Sequence, residues 1–174
     1  KYFVINRARQ YGKTTTLNML VKYLADKYTV FFISFEGLGE TAFESETAFC
    51  GTICELLYDT VIYEEVPTID DTVRRIIIDS VKQNKAEDML SLSNLISNIC
   101  RNAEVPVVLM IDEVDQASNH KVFIDLLGML RSKFLKRSTR PTFQSVILAG
   151  VYDIKNLKHR IREDNEHQMN SPWN

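Results

Sequence analysis

The sequence has few of the features that mark membrane-spanning, disulfide-bonded or zinc-binding proteins. No apolar run approaches the length of about 18 residues that a membrane-spanning helix needs, and no segment resembles a signal peptide. The 174 residues contain only three cysteines, Cys50, Cys54 and Cys100, without a CxxC pair. An odd number in this arrangement argues against a disulfide framework or a zinc site, so we expect the cysteines to be small buried hydrophobic side chains.

Charge of one sign is not in excess either. The net charge is −2, which argues against nucleic-acid binding through bulk charge. One local cluster of cations lies near the end of a predicted helix, at Arg131, Lys133, Lys136, Arg137 and Arg140. It could contact nucleic acid or a partner domain, but cations at a helix C-terminus also complement the helix dipole, and we interpret it as a solvated helix end. The histidines have no ligand-like spacing and are expected at the surface: His120, His159 and His167.

Length and composition are those of a single α/β domain over residues 1–174. Hydrophobic residues make up 45% and charged residues 25% of the sequence, both ordinary for a globular domain, and a chain of this length suits one domain. The sequence begins without methionine, enters a predicted strand almost at once and ends in Ser-Pro-Trp-Asn. We therefore expect a fragment of a longer protein, with further domains of the same chain as partners.

Apolar patterning predicts alternating strands and helices. Short apolar runs, typical of buried strands, occupy residues 2–5, 29–35, 107–111 and 145–149. Apolar residues recur at helical spacing over residues 13–27, 45–63, 68–83, 91–101, 121–136 and 153–162. Ser91, Ser93 and Asn94 are candidate caps for the fourth of these helices. The opening strand, loop, helix and strand form a βαβ unit, which predicts parallel strands and an α/β fold.

The loop after the first strand has the pattern of a phosphate-binding loop. Residues 7–14 read RARQYGKT, which matches the last three positions of GxxxxGK[ST]. A helix begins inside this loop, and a helix N-terminus offers free N–H groups and partial positive charge to phosphate oxygens. We expect Gly12 to let the backbone approach the phosphates. Lys13 would reach the β- and γ-phosphates, Thr14 would bind Mg²⁺, and Thr15 would contact the α-phosphate.

The same loop departs from the pattern at its first position, where Arg7 replaces glycine. Arginine is a poor choice if this position needs a positive φ. Asn6, which tolerates the left-handed region, could take up part of the turn. Arg9 could contact the nucleotide or pair with an acid. We include Arg9, Gln10 and Tyr11 among the predicted nucleotide-binding residues.

An acidic pair follows the third predicted strand. Asp112 and Glu113 come directly after five apolar residues, which is the form of the second P-loop signature, the Walker B motif. Mg²⁺ keeps most of its water shell and needs few protein ligands, so Asp112 and Thr14 would suffice. Glu113 would act as general base toward the attacking water, with Lys13 as the second catalytic residue. Asp115 is interpreted as a solvated or capping acid.

Together these motifs resemble those of the P-loop ATPases with an additional strand and a catalytic glutamate, which include the AAA-type and STAND-type proteins. Three segments, RARQYGKTTTLNMLVKYL, VVLMIDEVD and VILAGVYDIKNLKHRIR, look like bacterial AAA-like ATPase domains, and the resemblance spans nearly the whole chain. It implies a three-layer α/β/α fold with a mainly parallel sheet of strand order 5-1-4-3-2. Val4, Val146, Val108 and Phe32 would mark strands 1, 4, 3 and 2. This chain would then have the order 1-4-3-2, with the fifth strand absent, truncated or beyond its end.

The resemblance also implies residues that this sequence shows less plainly. A polar sensor residue usually ends the fourth strand in this family, but here the strand ends in Ala-Gly-Val, and Tyr152 or Asp153 could substitute. An arginine finger is often supplied by a neighbouring subunit, which leaves a homo-oligomer open, with Arg160 and Arg162 as candidates. Glu36 follows the second strand, at the edge where open α/β sheets bind ligands, and could influence the water or the metal.

Two functions are consistent with these residues. The first is a Mg-ATPase whose hydrolysis drives a conformational change in a larger protein. The second is a nucleotide-gated switch or interaction module that binds ATP with little turnover, which Arg7 and the missing sensor favour. A small-molecule kinase fits less well, because an Asp-Glu pair suits activation of water, and a DNA motor has only the cation cluster in its favour. No guanine-specific Asn/Thr-Lys-x-Asp motif occurs, which favours ATP. Free thiols and a nucleotide site in the same sequence together predict a cytoplasmic protein.

Overall fold

Strands and helices alternate along the chain as the apolar pattern predicts. The computed structural model describes residues 2–6, 12–64 and 66–150. Its elements are β1 (Phe3–Asn6), α1 (Lys13–Leu24), β2 (Thr29–Ser34), α2 (Glu46–Tyr63), α3 (Asp71–Lys82), α4 (Met89–Asn102), β3 (Val107–Asp112), α5 (Lys121–Leu135) and β4 (Ser145–Gly150). Short 3₁₀ helices at Glu40–Phe43 and Val114–Ala117 follow β2 and β3, and the apolar periodicity does not indicate them. The predicted helix at 153–162 lies outside the described residues. None of the described helices is both long and apolar enough to cross a membrane.

The four described strands form one parallel sheet in the order β1-β4-β3-β2. Val4 is in register with Leu148, and Phe32 with Met110. The central pair of strands, β3 and β4, is parallel as well. The predicted α/β fold and the predicted strand order 1-4-3-2 are therefore confirmed. Because the strands are parallel, their carboxyl ends meet at one edge of the sheet, which we call the carboxyl edge.

Helices cover both faces of the sheet. On one face, Leu17 of α1 packs with Val108 and Met110 of β3. On the other face, Leu109 and Ile111 belong to the larger core that α2, α3, α4 and α5 complete. Every residue of β3 is buried, as expected for a central strand covered on both sides. The predicted three-layer α/β/α arrangement is thus present.

Side-chain caps define where three of the helices begin. Ser45 and Asp70 each accept a hydrogen bond from a first-turn N–H, of α2 and α3 respectively. The cap of α4 is Asp88. The hydroxyl and the backbone N–H of Ser91 donate to Asp88 Oδ1 at 2.6 and 2.7 Å, and these bonds hold the pKa of Asp88 below its ordinary value. The prediction that a serine or asparagine at 91–94 caps α4 is therefore wrong, because an aspartate, an equally good N-cap, precedes them.

The cysteines have a structural role. Cys50 and Cys54 lie one turn apart on α2 and are buried in the core. Burial raises their pKa values to about 12 and about 11. Cys100 of α4 packs against the same core, and burial raises its pKa to about 12. All three are free cysteines, as predicted, and thiols with such pKa values stay protonated and unreactive at neutral pH.

One member of the predicted cation cluster is buried, which corrects the interpretation of the cluster as a solvated helix end. Three members are exposed: Lys136, Arg137 and Arg140. Lys133 of α5, in contrast, is only 8% exposed. Its Nζ donates to the Ser93 carbonyl at 2.8 Å, to the Ser97 hydroxyl at 2.6 Å and to the Ser93 hydroxyl at 3.2 Å. All three acceptors are neutral, so Lys133 joins α5 to α4 through hydrogen bonds to uncharged oxygens.

We expect the effect of Lys133 on stability to depend on pH. Burial lowers the pKa of Lys133 below its ordinary value of 10.5, so the unfolded chain binds this proton more strongly than the folded chain. The resulting destabilisation is fully present below the folded-state pKa and is relieved as the pH rises toward 10.5. Relative to Lys133→Met, the free energy of unfolding of the wild type should therefore rise as the pH increases from the folded-state pKa of Lys133 toward 10.5. Urea denaturation at several pH values measures the free energy of unfolding of both proteins. A difference between them that does not change with pH would contradict the prediction.

Candidate functional site at the carboxyl edge

The helix α1 begins at the carboxyl edge of the sheet with a glycine cap. Gly12 has φ 68° and ψ 29°, in the left-handed region that glycine adopts without the Cβ clash of other residues. Nothing lies within 4 Å of the position that a Cβ at Gly12 would take. Backbone conformation, and not crowding, therefore requires glycine here. The first N–H groups of α1 have no partner within the helix itself, and this end of the helix lies beside the end of β3.

Four side chains from two distant segments meet at this edge. Lys13 Nζ lies 2.6 Å from Glu113 Oε1 and 3.1 Å from Asp112 Oδ1. Thr14 Oγ1 donates to Asp112 Oδ2 at 2.9 Å. The partners are 98 to 100 residues apart in sequence, and the parallel sheet brings them together because α1 follows β1 and the acidic pair ends β3. The two predicted catalytic residues and the two predicted metal ligands thus form one cluster.

Two members of the cluster, Lys13 and Asp112, are buried, whereas Thr14 is exposed, and the carboxylates of the cluster outnumber its cation. Lys13 is 8% exposed and Asp112 is 2% exposed. Burial by itself lowers the pKa of Lys13, but hydrogen bonds to Glu113 and Asp112 outweigh it, so the pKa of Lys13 lies above its ordinary value of 10.5. Lys13 is therefore charged at neutral pH, and its one ammonium faces two carboxylates. An anionic ligand would meet net negative charge here unless a cation accompanies it.

Glu113 has an unusual backbone conformation. Its φ is 52° and its ψ is 38°, in the left-handed region that residues with a long side chain seldom adopt. Its N–H donates to Asp112 Oδ1 at 2.8 Å, and its carboxylate turns back to Lys13. Backbone strain of this kind clusters at functional sites. No sequence signal could have predicted it, because glutamate has no preference for this region.

The structure describes only two of the remaining predicted site residues, Thr15 and Glu36, and both are exposed. Thr15 is exposed on the first turn of α1. Thr16, which the loop pattern does not single out, donates to the Gly12 carbonyl at 2.9 Å. Glu36 follows β2 and is exposed. The other predicted residues lie outside the described part of the chain: Arg7, Arg9, Gln10, Tyr11, Tyr152, Asp153, Arg160 and Arg162.

The donor set of the cluster fits a hard divalent cation such as Mg²⁺. Thr14 Oγ1 and Asp112 Oδ2, which lie 2.9 Å apart, are oxygen donors of the kind that Mg²⁺ prefers. Proteins commonly hold Mg²⁺ with one or two side chains, while water and phosphate oxygens complete the shell. Within residues 2–6, 12–64 and 66–150, no group of three or more His, Cys, Asp or Glu side chains could hold a metal ion. The oxygen atoms of Thr14 and Asp112 therefore fit part of the ligand shell of such a cation.

Asp115 and Gly150 make a contact that the sequence pattern does not predict. Asp115 lies in the first turn of the 3₁₀ helix after β3, and Gly150 ends β4. A Cβ at Gly150 would lie 2.9 Å from Asp115 Oδ2 and 3.0 Å from Val114 Cγ2. The interpretation of Asp115 as only a solvated or capping acid is thus incomplete, because its carboxylate also covers the end of β4. This contact explains why glycine stands where a polar sensor residue was expected.

We expect Gly150→Ala to lower the free energy of unfolding by about 1–3 kcal/mol, the usual cost of over-packing a filled site. The added methyl group has to displace the Asp115 carboxylate or the Val114 side chain. Gly128→Ala in α5 is a matched control, because nothing lies within 4 Å of a Cβ there, and alanine is favoured over glycine in a helix by about 1 kcal/mol. Urea denaturation should show opposite signs for the two variants. A stabilising Gly150→Ala would contradict the close contact.

His120 is not the free surface residue that the sequence predicts. Its ring stacks on Phe43, with 4.6 Å between centroids and 16° between planes, and its Nε2 lies 3.5 Å from Glu40 Oε2. Glu40 and Phe43 belong to the 3₁₀ helix after β2, whereas His120 directly precedes α5. The contact therefore joins the two loops that leave the carboxyl edge from β2 and β3. His159 and His167 lie outside the described residues.

The fold and the site together define a class of protein. The chain has a P-loop-like three-layer α/β/α fold whose carboxyl edge places a lysine, a threonine, an aspartate and a glutamate in contact. The family follows from sequence comparison: the family model described as an AAA-like domain matches residues 2–157, so the chain belongs to the AAA-like domain family. No curated protein matches the sequence significantly. Membership of this family indicates an activity related to nucleotides.

Proposed function

We propose that this chain binds Mg-ATP and hydrolyses it, as a P-loop ATPase of the additional-strand, catalytic-glutamate class. Hydrolysis would drive a conformational change in a larger protein. The observation that carries the proposal is the contact of Lys13 and Thr14 with Asp112 and Glu113. These groups are a cation, a hydroxyl and two carboxylates beside a glycine-capped helix N-terminus. Phosphate binding, metal binding and activation of water require groups of these kinds in one place.

The phosphates would bind at the N-terminus of α1. The first N–H groups of the helix and its dipole favour anions there, and Gly12, which has no side chain, would let the phosphates come close to the backbone. Lys13 would exchange its carboxylate partners for β- and γ-phosphate oxygens. Thr15, exposed on the same turn, would contact the α-phosphate. The loop residues proposed to contact the nucleotide are Arg9, Gln10 and Tyr11.

Thr14 and Asp112 would hold Mg²⁺ together with oxygens of water and phosphate. When bound, Mg²⁺ neutralises negative charge on the phosphates. In the reaction the water oxygen bonds to the γ-phosphorus as the bond from that phosphorus to ADP breaks, and Glu113 accepts the proton of the water as general base. Lys13 would stabilise the negative charge on the transferred phosphoryl group.

A nucleotide-gated switch that binds ATP with little turnover is the second candidate. Glu113 is paired with Lys13 at 2.6 Å and so is not free to activate water, and β4 ends in Gly150, which has no polar side chain. In this case the γ-phosphate would order the loops after β3 and β4 without being cleaved. In both proposals, nucleotide binding at this site is coupled to further domains of the same chain or to further copies of it.

Calorimetric titration with Mg-ATP tests the binding. We expect the 174-residue chain to bind with a dissociation constant between about 1 µM and 1 mM, the usual range for enzyme substrates. Lys13→Ala should abolish measurable binding, because it removes the ammonium that would contact the phosphates. Lys22→Ala, on the last turn of α1, changes the same residue type and should bind like the wild type. A folded wild type that binds no Mg-ATP would overturn the proposal.

A further inference from the structure

The lysine that would bind phosphate is already engaged by anionic oxygens. Lys13 Nζ lies 2.6 Å from Glu113 Oε1 and 3.1 Å from Asp112 Oδ1. Carboxylate and phosphate oxygens compete for the same charged N–H donors. With only 8% of its surface exposed, Lys13 has little room to add a partner without giving one up. A phosphate that approaches Lys13 therefore competes with these carboxylates for the ammonium.

Lys13 lies closer to Glu113 than to Asp112, but Glu113 is the carboxylate with fewer partners. Asp112 is 2% exposed and accepts from the Thr14 hydroxyl and the Glu113 N–H as well as from Lys13. The Glu113 side chain is 22% exposed, and Lys13 is its hydrogen-bond partner in the described part of the chain. Its left-handed backbone is a conformation that long side chains seldom adopt. Release of Lys13 thus costs the Glu113 carboxylate one hydrogen bond.

We propose that the Lys13–Glu113 ion pair is an autoinhibitory contact, which we call the clasp. Nucleotide phosphates displace Glu113 from Lys13, and the same exchange frees the Glu113 carboxylate to accept a proton from water. The base is available only while phosphates occupy the site. The inference rests on the proposed function, because it concerns the regulation of the same site.

The clasp weakens the binding of every nucleotide whose β-phosphate reaches Lys13. The apparent dissociation constant is the intrinsic one divided by the fraction of molecules in which Lys13 is free. Removing the clasp should tighten the binding of ADP as well as that of a non-hydrolysable ATP analogue. If Glu113 only repelled the γ-phosphate, removing its charge would tighten the binding of the ATP analogue and leave the affinity for ADP unchanged.

Two substitutions separate the clasp from simple charge repulsion. Glu113→Gln removes the charge. Glu113→Asp keeps the charge and tolerates the left-handed backbone, but its side chain is one methylene too short to reach Lys13 from the same position. In calorimetric titrations with Mg-ADP, we expect both variants to bind about tenfold more tightly than the wild type, which corresponds to a free fraction of about one tenth. The non-hydrolysable ATP analogue should show at least the same change.

The possible outcomes distinguish the clasp from the proposed function. If the wild type binds ADP and both variants bind it with the same affinity as the wild type, the clasp is overturned and the proposed function still stands. Tighter binding by Glu113→Gln alone would also overturn it, since repulsion then suffices. If neither the wild type nor the variants bind either nucleotide, the proposed function fails together with the clasp.

A second measurement needs no nucleotide, so it also tests the clasp in a variant that binds nucleotide poorly. Circular dichroism shows whether each variant is folded, and mass spectrometry follows acetylation of the Lys13 amine by acetic anhydride. Because the clasp shields this amine, its acetylation should be faster in Glu113→Gln and in Glu113→Asp than in the wild type. Equal rates in all three folded proteins would overturn the clasp.

Discussion

Glu113→Gln is expected to lower the steady-state rate of ATP hydrolysis by about 10²–10⁴-fold, the usual contribution of a general base. Glutamine has the size of glutamate but cannot take a proton from the attacking water. ATP should still bind, because Lys13, Thr14 and Asp112 are unchanged. Release of phosphate at saturating Mg-ATP measures the rate independently of affinity.

An acid outside the predicted site provides the control for this variant. Glu55 is exposed on α2, and Glu55→Gln should hydrolyse ATP at the wild-type rate. If Glu113→Gln kept that rate, Glu113 would not be the base. If the wild type bound Mg-ATP but released no phosphate, the nucleotide-gated switch would be the better description.

Phe35→Ala is expected to lower the free energy of unfolding by about 3–5 kcal/mol, as is typical when a buried phenylalanine is truncated. The Phe35 ring is fully buried and packs edge-on against Phe43, Phe49 and Phe123, with centroids 6.0 to 6.2 Å away. Its neighbours come from a 3₁₀ helix, α2 and α5, so they cannot all move into the cavity together. Urea denaturation measures the loss.

The position of Phe35 links this aromatic cluster to the site. Its backbone N–H donates to the Asp112 carbonyl at 3.1 Å, so loosening the cluster also loosens the end of β3. Phe35→Leu keeps most of the volume and should cost about 1.5 kcal/mol or less. Tyr23→Ala, at a position of α1 that is 79% exposed, should change stability by no more than about 0.5 kcal/mol. A loss for Phe35→Ala as small as that for Tyr23→Ala would contradict the prediction.

Sequence patterning was sufficient for the described strands and α-helices and for the fold class. The buried strand β3 is one continuous apolar run, and the helical spacing over residues 45–63 corresponds to α2, because burial leaves a local signal. The strand order came from the resemblance to AAA-like ATPases, since patterning alone does not say which strands are neighbours. The boundary of α4 was missed because two kinds of cap residue, Asp88 and Ser91, lie one turn apart.

The composition of the candidate site was also visible in the sequence. Glycine, lysine and threonine at the start of α1, and an acidic pair at the end of β3, stand where parallel strands place their carboxyl ends. The contact of these two segments is what the structure adds, and the chemical roles of Lys13, Thr14, Asp112 and Glu113 stay predictions until nucleotide binding is measured. For Arg9 the contact itself is still a prediction, because it lies outside the described residues.

Other features depended on tertiary contacts and left no local trace. The Asp115 carboxylate lies against the end of β4, and His120 stacks on Phe43 from the loop after another strand. The left-handed backbone of Glu113 likewise has no signal in the local sequence. Lys133 looked like one more cation at a helix end, yet it is buried against α4. Hydrophobic period and capping act over a few residues, so the sequence alone can reveal them. The partner of a charged side chain depends on which elements the sheet brings side by side, and that is decided only when the chain has folded.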